Sequence, residues 1–87
     1  MSAFHLTIVT PTGKFFEDDV EFISAPGVAG SFGILSRHAP FVSSLKKGTL
    51  RIKQSIGEKS FLIESGILEM NEQNKCLILS NHIENSS

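Results

Sequence analysis

The sequence contains no tryptophan, no tyrosine and a single cysteine. Without the first two there is no flat, hydrogen-bonding aromatic platform of the kind that sugar-binding modules present. One cysteine, Cys76, permits no internal disulfide, so a reducing compartment is expected. Charge of neither sign dominates. Eight Lys and Arg against nine Asp and Glu leave a net charge of -1, which gives no electrostatic reason to expect nucleic acid. No apolar run approaches the roughly 20 residues a membrane span needs, so direct membrane insertion is not expected. The opening MSAFHLTIVTPTGKFF has no basic start followed by an apolar block, and it is not Arg-rich. Neither a secretory signal nor a transit peptide is expected from it. Without such a signal, the formal glycosylation pattern Asn85-Ser86-Ser87 reads as chance.

What the sequence does have is alternation. Phe4, Leu6 and Ile8 share one side of an extended segment, with His5 and Thr7 on the other. Val20 and Phe22 flank Glu21, although Ile23 breaks the pattern. Leu50 and Ile52 alternate with Arg51 and Lys53, and Phe61 and Ile63 with Ser60 and, less cleanly, Leu62. Leu77 and Leu79 enclose Ile78, so that strand is expected to be buried on both faces. Turn signals separate these runs: Thr10-Pro11-Thr12-Gly13, Ala25-Pro26-Gly27, Lys46-Lys47-Gly48, Ile56-Gly57-Glu58 and Asn71-Glu72-Gln73-Asn74. The best helical window, His38 to Lys46, contains Pro40 and is not backed. With 87 residues, 40% of them hydrophobic, the expectation is one all-β domain, a sandwich or barrel. It is placed at residues 1–83. The end beyond His82 is polar and expected to fray, leaving a tail at 84–87.

Each candidate chemistry has a plainer competitor. Gly27, Gly30 and Gly33 are spaced G-x-x-G-x-x-G, which is neither the dinucleotide fingerprint nor a phosphate loop ending in Gly-Lys-Ser/Thr. Tight bends between strands explain them better. His38 has Ser36 and Ser43 nearby in sequence, but the G-x-S-x-G elbow is absent. Ser43-Ser44-Leu45-Lys46 matches S-x-x-K without its partner motifs. His5, His38 and His82 are not paired at ligand spacing, so no metal is expected. His5 and His82 read as surface residues, and His38 as a residue that fixes a loop by hydrogen bonding. The acidic group Glu17, Asp18, Asp19 and Glu21 and the basic group Lys46, Lys47, Arg51 and Lys53 read as solvated edges. The large apolar residues Phe32, Ile34, Leu35 and Phe41 lie in or beside a Gly/Pro-shaped loop. Any of them left outside the core marks a docking surface. The residues alone therefore reach a small all-β binding or structural domain, with a stand-alone protein-binding adaptor and a small hydrolase using His38 as alternatives.

The stretch Gly30-Ser-Phe-Gly-Ile-Leu-Ser-Arg-His-Ala-Pro40, followed by Leu45, Gly48, Arg51 and Ile52, resembles the signature of the epsilon subunit of F-type ATP synthases. Val20-Glu21, Gly27, the first strand from His5 to Val9 and Ser65-Gly66-Ile67-Leu68-Glu69 extend the likeness over nearly the whole chain. The resemblance implies a flattened β-sandwich of about ten short strands. It implies a non-catalytic rotor subunit without cofactor, nucleotide or metal, bound to the gamma subunit and the c-subunit ring. Contact with the alpha/beta catalytic head is expected to be weak or absent. The expected location is peripheral, on the cytoplasmic face of the bacterial inner membrane. The ring-facing loop maps onto Ala29, Gly30, Ser31, Phe32, Gly33, Ile34 and Leu35. The gamma-facing or loop-shaping residues map onto Thr10, His38, Ala39, Pro40, Phe41 and Ser43. Three departures stand out. Ser31 occupies a commonly acidic position, and Arg37 a common glycine. The chain stops where two inhibitory C-terminal helices usually follow, so a short form without them is expected.

Overall fold

In the computed structural model, which describes residues 2–86, the chain forms ten strands. They are β1 (Phe4–Thr10), β2 (Gly13–Val20), β3 (Phe22–Gly27), β4 (Gly30–Leu35), β5 (Phe41–Leu45), β6 (Gly48–Gln54), β7 (Gly57–Ile63), β8 (Gly66–Met70), β9 (Lys75–Ser80) and β10 (Ile83–Asn85). The pairing makes two layers. One runs β4-β3-β6-β7-β10 and the other β5-β8-β9-β1-β2, joined through the single pair Gly27↔Leu45. All pairs are antiparallel except β1 with β9, which run parallel.

Alternation decides which side each residue takes. Phe4, Leu6 and Ile8 of β1, Leu68 and Met70 of β8, and Cys76 and Ile78 of β9 point inward from one layer. They meet Ile23, Ala25, Ile34, Leu50, Ile52, Phe61 and Ile63 of the other. Each fully buried aliphatic side chain contributes roughly 1.5–3 kcal/mol. The layers also close at the β2 end. Phe15 and Phe16 pack against Phe61, and the buried Gln54 Nε2 donates to Asp18 Oδ2 (3.1 Å) and to the Asp19 carbonyl (3.0 Å).

Four expectations change. The break at Ile23 is a change of strand, because β2 ends at Val20 and β3 begins at Phe22. Ala25-Pro26-Gly27 is not a turn but the end of β3, with the turn at Val28 and Ala29. Pro26 is tolerated because its carbonyl accepts from Lys46 N, away from β4. A strand residue aims N–H and C=O to the same side, so the missing N–H costs the β3–β4 ladder nothing. The third concerns β9, which is buried on one face only. Cys76 and Ile78 go in, while Leu79 is 47% exposed on the outside. Finally, the polar end is not frayed directly after His82. Ile83, Glu84 and Asn85 pair with Ile63, Leu62 and Phe61, because Ile83 has core to fill.

Candidate functional site

The first part of the stretch singled out by sequence is a strand rather than a loop: β4 (Gly30–Leu35) forms a hairpin with β3. It is an edge strand, hydrogen-bonded on one side only. Two aromatic side chains cover one glycine on each strand of this hairpin. A Cβ on Gly33 would come within 2.8 Å of the Phe22 ring, and one on Gly27 within 2.8 Å of the Phe32 ring. Glycine is therefore required at both positions by close approach. At Gly30 the backbone is the reason, with φ at 132°. Alternation then sorts the segment. Ile34 is 0% exposed and points into the core, so it offers no surface. Ala29, Ser31 and Leu35 face outward, and Leu35 is 56% exposed. No charged side chain lies between Glu21 and Arg37.

The turn after β4 leads directly to β5. His38 N donates to the Leu35 carbonyl (3.1 Å), and His38 Nδ1 donates to the Ala39 carbonyl (2.8 Å). His38 thus shapes its loop, as its surroundings in the sequence suggest. Its ring meets Phe41 edge-on at 5.5 Å, and Phe41 meets Phe32 edge-on at 5.1 Å. Such pairs add about 0.5–1.5 kcal/mol beyond burial. The seam His38–Phe41–Phe32 ties the edge of one layer to the edge of the other. It brings the Ala29–Leu35 and His38–Ser43 segments together. Ala39 and Pro40 sit exposed at its rim, and Ser43 Oγ donates to the Ser44 carbonyl.

Thr10 is not part of this seam. It lies three inter-strand spacings from β5, roughly 14 Å, at the far end of the strands. Its hydroxyl engages Thr12 and the Gly13 carbonyl, building the β1–β2 turn. A row of outward side chains nevertheless links the two regions. The register Ser44↔Ile67↔Leu79↔Val9 crosses the outer face of the second layer. Ile67 and Leu79 are each 47% exposed, and Val42 beside them is 66% exposed. An open hollow over this row is lined by Val9, Thr10, Pro11, Ile67, Leu79 and Asn81. Sequence reasoning missed Ile67 and assigned Leu79 to the interior. The usable signal was an apolar residue at an outward position in each neighbouring strand, Ile67 in β8, Leu79 in β9 and Val9 in β1.

Part of the acidic group is engaged with basic partners rather than merely solvated. His5 Nε2 lies 2.7 Å from Glu17 Oε2 and its Nδ1 3.0 Å from Asp19 Oδ1, while Lys14 pairs with Glu17. Hydrogen bonds to Glu17 and then Asp19 raise His5 above the ordinary imidazole value. The bond from His5, then that from Lys14, hold Glu17 down at about 2. Burial pushes the Cys76 thiol up to about 12, which keeps it unreactive. Among the described residues no group of three or more His, Cys, Asp or Glu is placed to hold a metal ion.

Comparison with known proteins agrees with this architecture. A sequence model of the family described as "ATP synthase, Delta/Epsilon chain, beta-sandwich domain" matches residues 3–86. The chain is 30% identical over 84 residues to the ATP synthase epsilon chain of Caulobacter vibrioides, covering 97% of this chain and 98% of that one. It is 40% identical over 79 residues to the epsilon chain of Pelotomaculum thermopropionicum, covering 91% of this chain but 58% of that one. Among solved structures it resembles a chain in the central stalk and c-ring of the Tetrahymena thermophila mitochondrial ATP synthase. The TM-score is 0.82 at 21% identity, over 93% of this chain and 65% of that one, a likeness of fold.

Proposed function

The chain belongs to the family of ATP synthase delta/epsilon-chain β-sandwich domains, and from that membership we propose that it is a non-catalytic central-stalk subunit of a proton-translocating F-type ATP synthase. It bridges the gamma subunit and the ring of c subunits, and helps couple ion flow to ATP synthesis performed elsewhere in the complex. The observation that carries this reading is the family match over residues 3–86. The complex is membrane-associated, and the proposed station of this domain is the cytoplasmic face of the bacterial inner membrane.

The geometry supports a division of labour. We assign the ring-facing role to the uncharged β3–β4 hairpin, through Ala29, Gly30, Ser31, the exposed part of Phe32, Gly33 and Leu35. Ile34 serves from inside by fixing the strand. With Ser31 in place of an acidic residue, contact with the ring rests on backbone and apolar groups rather than an ion pair. The gamma-facing role falls to the rim formed by His38, Ala39, Pro40, Phe41 and Ser43, together with the outer face of the second layer, where the Ile67–Leu79–Val9 row leads to Thr10. Exposed apolar surface of this kind is the ordinary mark of a partner. A rotor joint must pass on torque without yielding, and a close-packed sandwich has that stiffness.

The test is co-elution in size-exclusion chromatography with the cognate gamma subunit, then with detergent-solubilised c ring. A one-to-one complex with gamma is the expected result. Failure to bind either, with all proteins folded, overturns the rotor reading and returns the domain to a stand-alone adaptor.

A further inference from the structure

The described residues include two non-glycine positions with left-handed backbone, Arg37 and Asn74, each with φ at 64°. They lie 37 positions apart in sequence and are hydrogen-bonded to each other: Arg37 N donates to Asn74 Oδ1 at 2.6 Å. Asn74 does more than this. Its Nδ2 donates to Ser36 Oγ and to the Ala3 carbonyl, both at 3.1 Å. Ser36 Oγ in turn reaches the Ala3 carbonyl at 3.3 Å. The Asn74 backbone N donates to the Asn71 carbonyl, and its carbonyl accepts from His5 N, both at 3.3 Å. Every polar atom of this residue is thus engaged, and its partners come from the β8–β9 turn, the N-terminal entry to β1, and the β4–β5 turn.

A left-handed conformation costs a non-glycine residue on the order of 1–2 kcal/mol unless the surroundings impose it. Asparagine tolerates it well, arginine less so. At Arg37 the imposing contact is the side chain of Asn74, which holds the amide on the turn's inner side. The next residue is His38, whose ring packs on Phe41, and Phe41 on Phe32. Asn74 thus fixes the residue that leads into the seam, beside the bond from His38 N to the Leu35 carbonyl.

We propose that Asn74 is a positioning residue that latches the Ser36–Pro40 turn and so presents the His38–Phe41–Phe32 seam in its docking-competent form. This rests on the reading that the seam meets the gamma subunit. Asparagine is suited to the task because a single side chain supplies an acceptor for Arg37 N–H and donors for Ser36 and Ala3 while tolerating positive φ.

The test uses the full chain with Asn74→Gly, which keeps the left-handed backbone and removes all three side-chain bonds. A second variant, Asn74→Asp, keeps the acceptor for Arg37 and loses the donors. Amide exchange by NMR is expected to accelerate about tenfold at Arg37 and His38 in Asn74→Gly, as one lost hydrogen bond implies. The core strands should keep their protection, and Asn74→Asp should restore most of it at Arg37. Affinity for gamma should fall about tenfold in Asn74→Gly and recover in Asn74→Asp, a rescue that a general loss of stability does not produce. Unchanged exchange at Arg37, or faster exchange with unchanged gamma affinity, overturns the latch. If Asn74→Gly does not fold, Asn74→Asp decides: fast exchange at Arg37 despite its retained acceptor overturns the proposal, and slow exchange supports it. Wild-type chain that binds no gamma at all overturns the partner reading instead, a result distinguishable from either.

Discussion

Ile34 illustrates how a single side chain divides stability from recognition. It lies in the middle of the stretch we assign to the ring, yet it is wholly buried. Ile34→Asp is expected to destabilise the fold by about 4 kcal/mol, since an unpaired buried carboxylate is among the costliest single changes. A melting temperature within a degree of wild type would contradict the assigned burial. The alternation Phe32, Ile34 against Ser31, Gly33 was present in the sequence. Gly and Pro around it read as loop chemistry and hid it. Gly33 answers to the Phe22 ring on the neighbouring strand, and Gly27 to the Gly30 carbonyl and the Phe32 ring, which no local pattern reveals. His5 was legible as a surface residue, but not its partners, which lie 12 and 14 positions away. They give it a pH dependence. His5 is raised above 6.5, so its contribution is complete below that value and disappears as pH rises through the folded value. Glu17, lowered from 4.5 to about 2, contributes above 4.5 and loses that contribution as pH falls through about 2. The stability gap between wild type and His5→Gln should therefore be widest between 4.5 and 6.5 and close at alkaline pH. Thermal melts of both proteins across that range are the check, and a gap that grows above neutrality would refute the clamp. The gap is small, because the groups are exposed and screened.

At the scale of elements, period-2 patterning identified the strands that bury one face, namely β1, β6 and β7. It failed where a strand's outer face is also apolar. Leu77 and Leu79 suggested two buried faces, but among the described residues nothing covers the outside of β9 at Leu79. The ladder also imposes demands that composition cannot express. Gly66 opens β8 opposite Ser80, and a Cβ there would stand 2.3 Å from the Leu79 carbonyl oxygen. The obstacle is backbone, which cannot step aside as a side-chain tip does. Gly66→Ala is expected to cost about 3 kcal/mol, at the upper end of overpacking effects. Chemical denaturation would measure it, and a loss below about 0.5 kcal/mol would mean that the β8–β9 register adjusts freely.

On the scale of the whole molecule, the all-β class was readable from alternation and turn spacing and the single domain from the length of 87 residues, while the two-layer order was not. The layers meet through one pair, Gly27↔Leu45, and through side chains at both ends. Those contacts span long sequence distances, and period analysis is blind to them. The same holds for the exposed row, which gathers Ile67, Leu79 and Val9 from three strands. Ile67→Lys should leave stability within about 0.5 kcal/mol, as for an outward surface position. It should weaken gamma binding by at least about tenfold, as expected for an apolar contact at the centre of an interface. Isothermal titration beside a thermal melt separates the two quantities. Equal affinity for wild type and Ile67→Lys would move the interface elsewhere on the sandwich.

The parallel pairing of β1 with β9 carries a further consequence, for the order in which the molecule is made. His5 to Val9 find their inner neighbours at Lys75 to Leu79, near the other end of the chain. During synthesis, Phe4, Leu6 and Ile8 leave the ribosome well before the strand that pairs with β1 on its inner side, and must wait for it. Such distant contacts give a high contact order and slow folding, in the millisecond-to-second class. The hairpin formed with β2 shelters them only weakly meanwhile, since an isolated hairpin is marginal in water. The domain therefore closes in one late event, and its risk of wrong association is concentrated in the interval before β9 emerges.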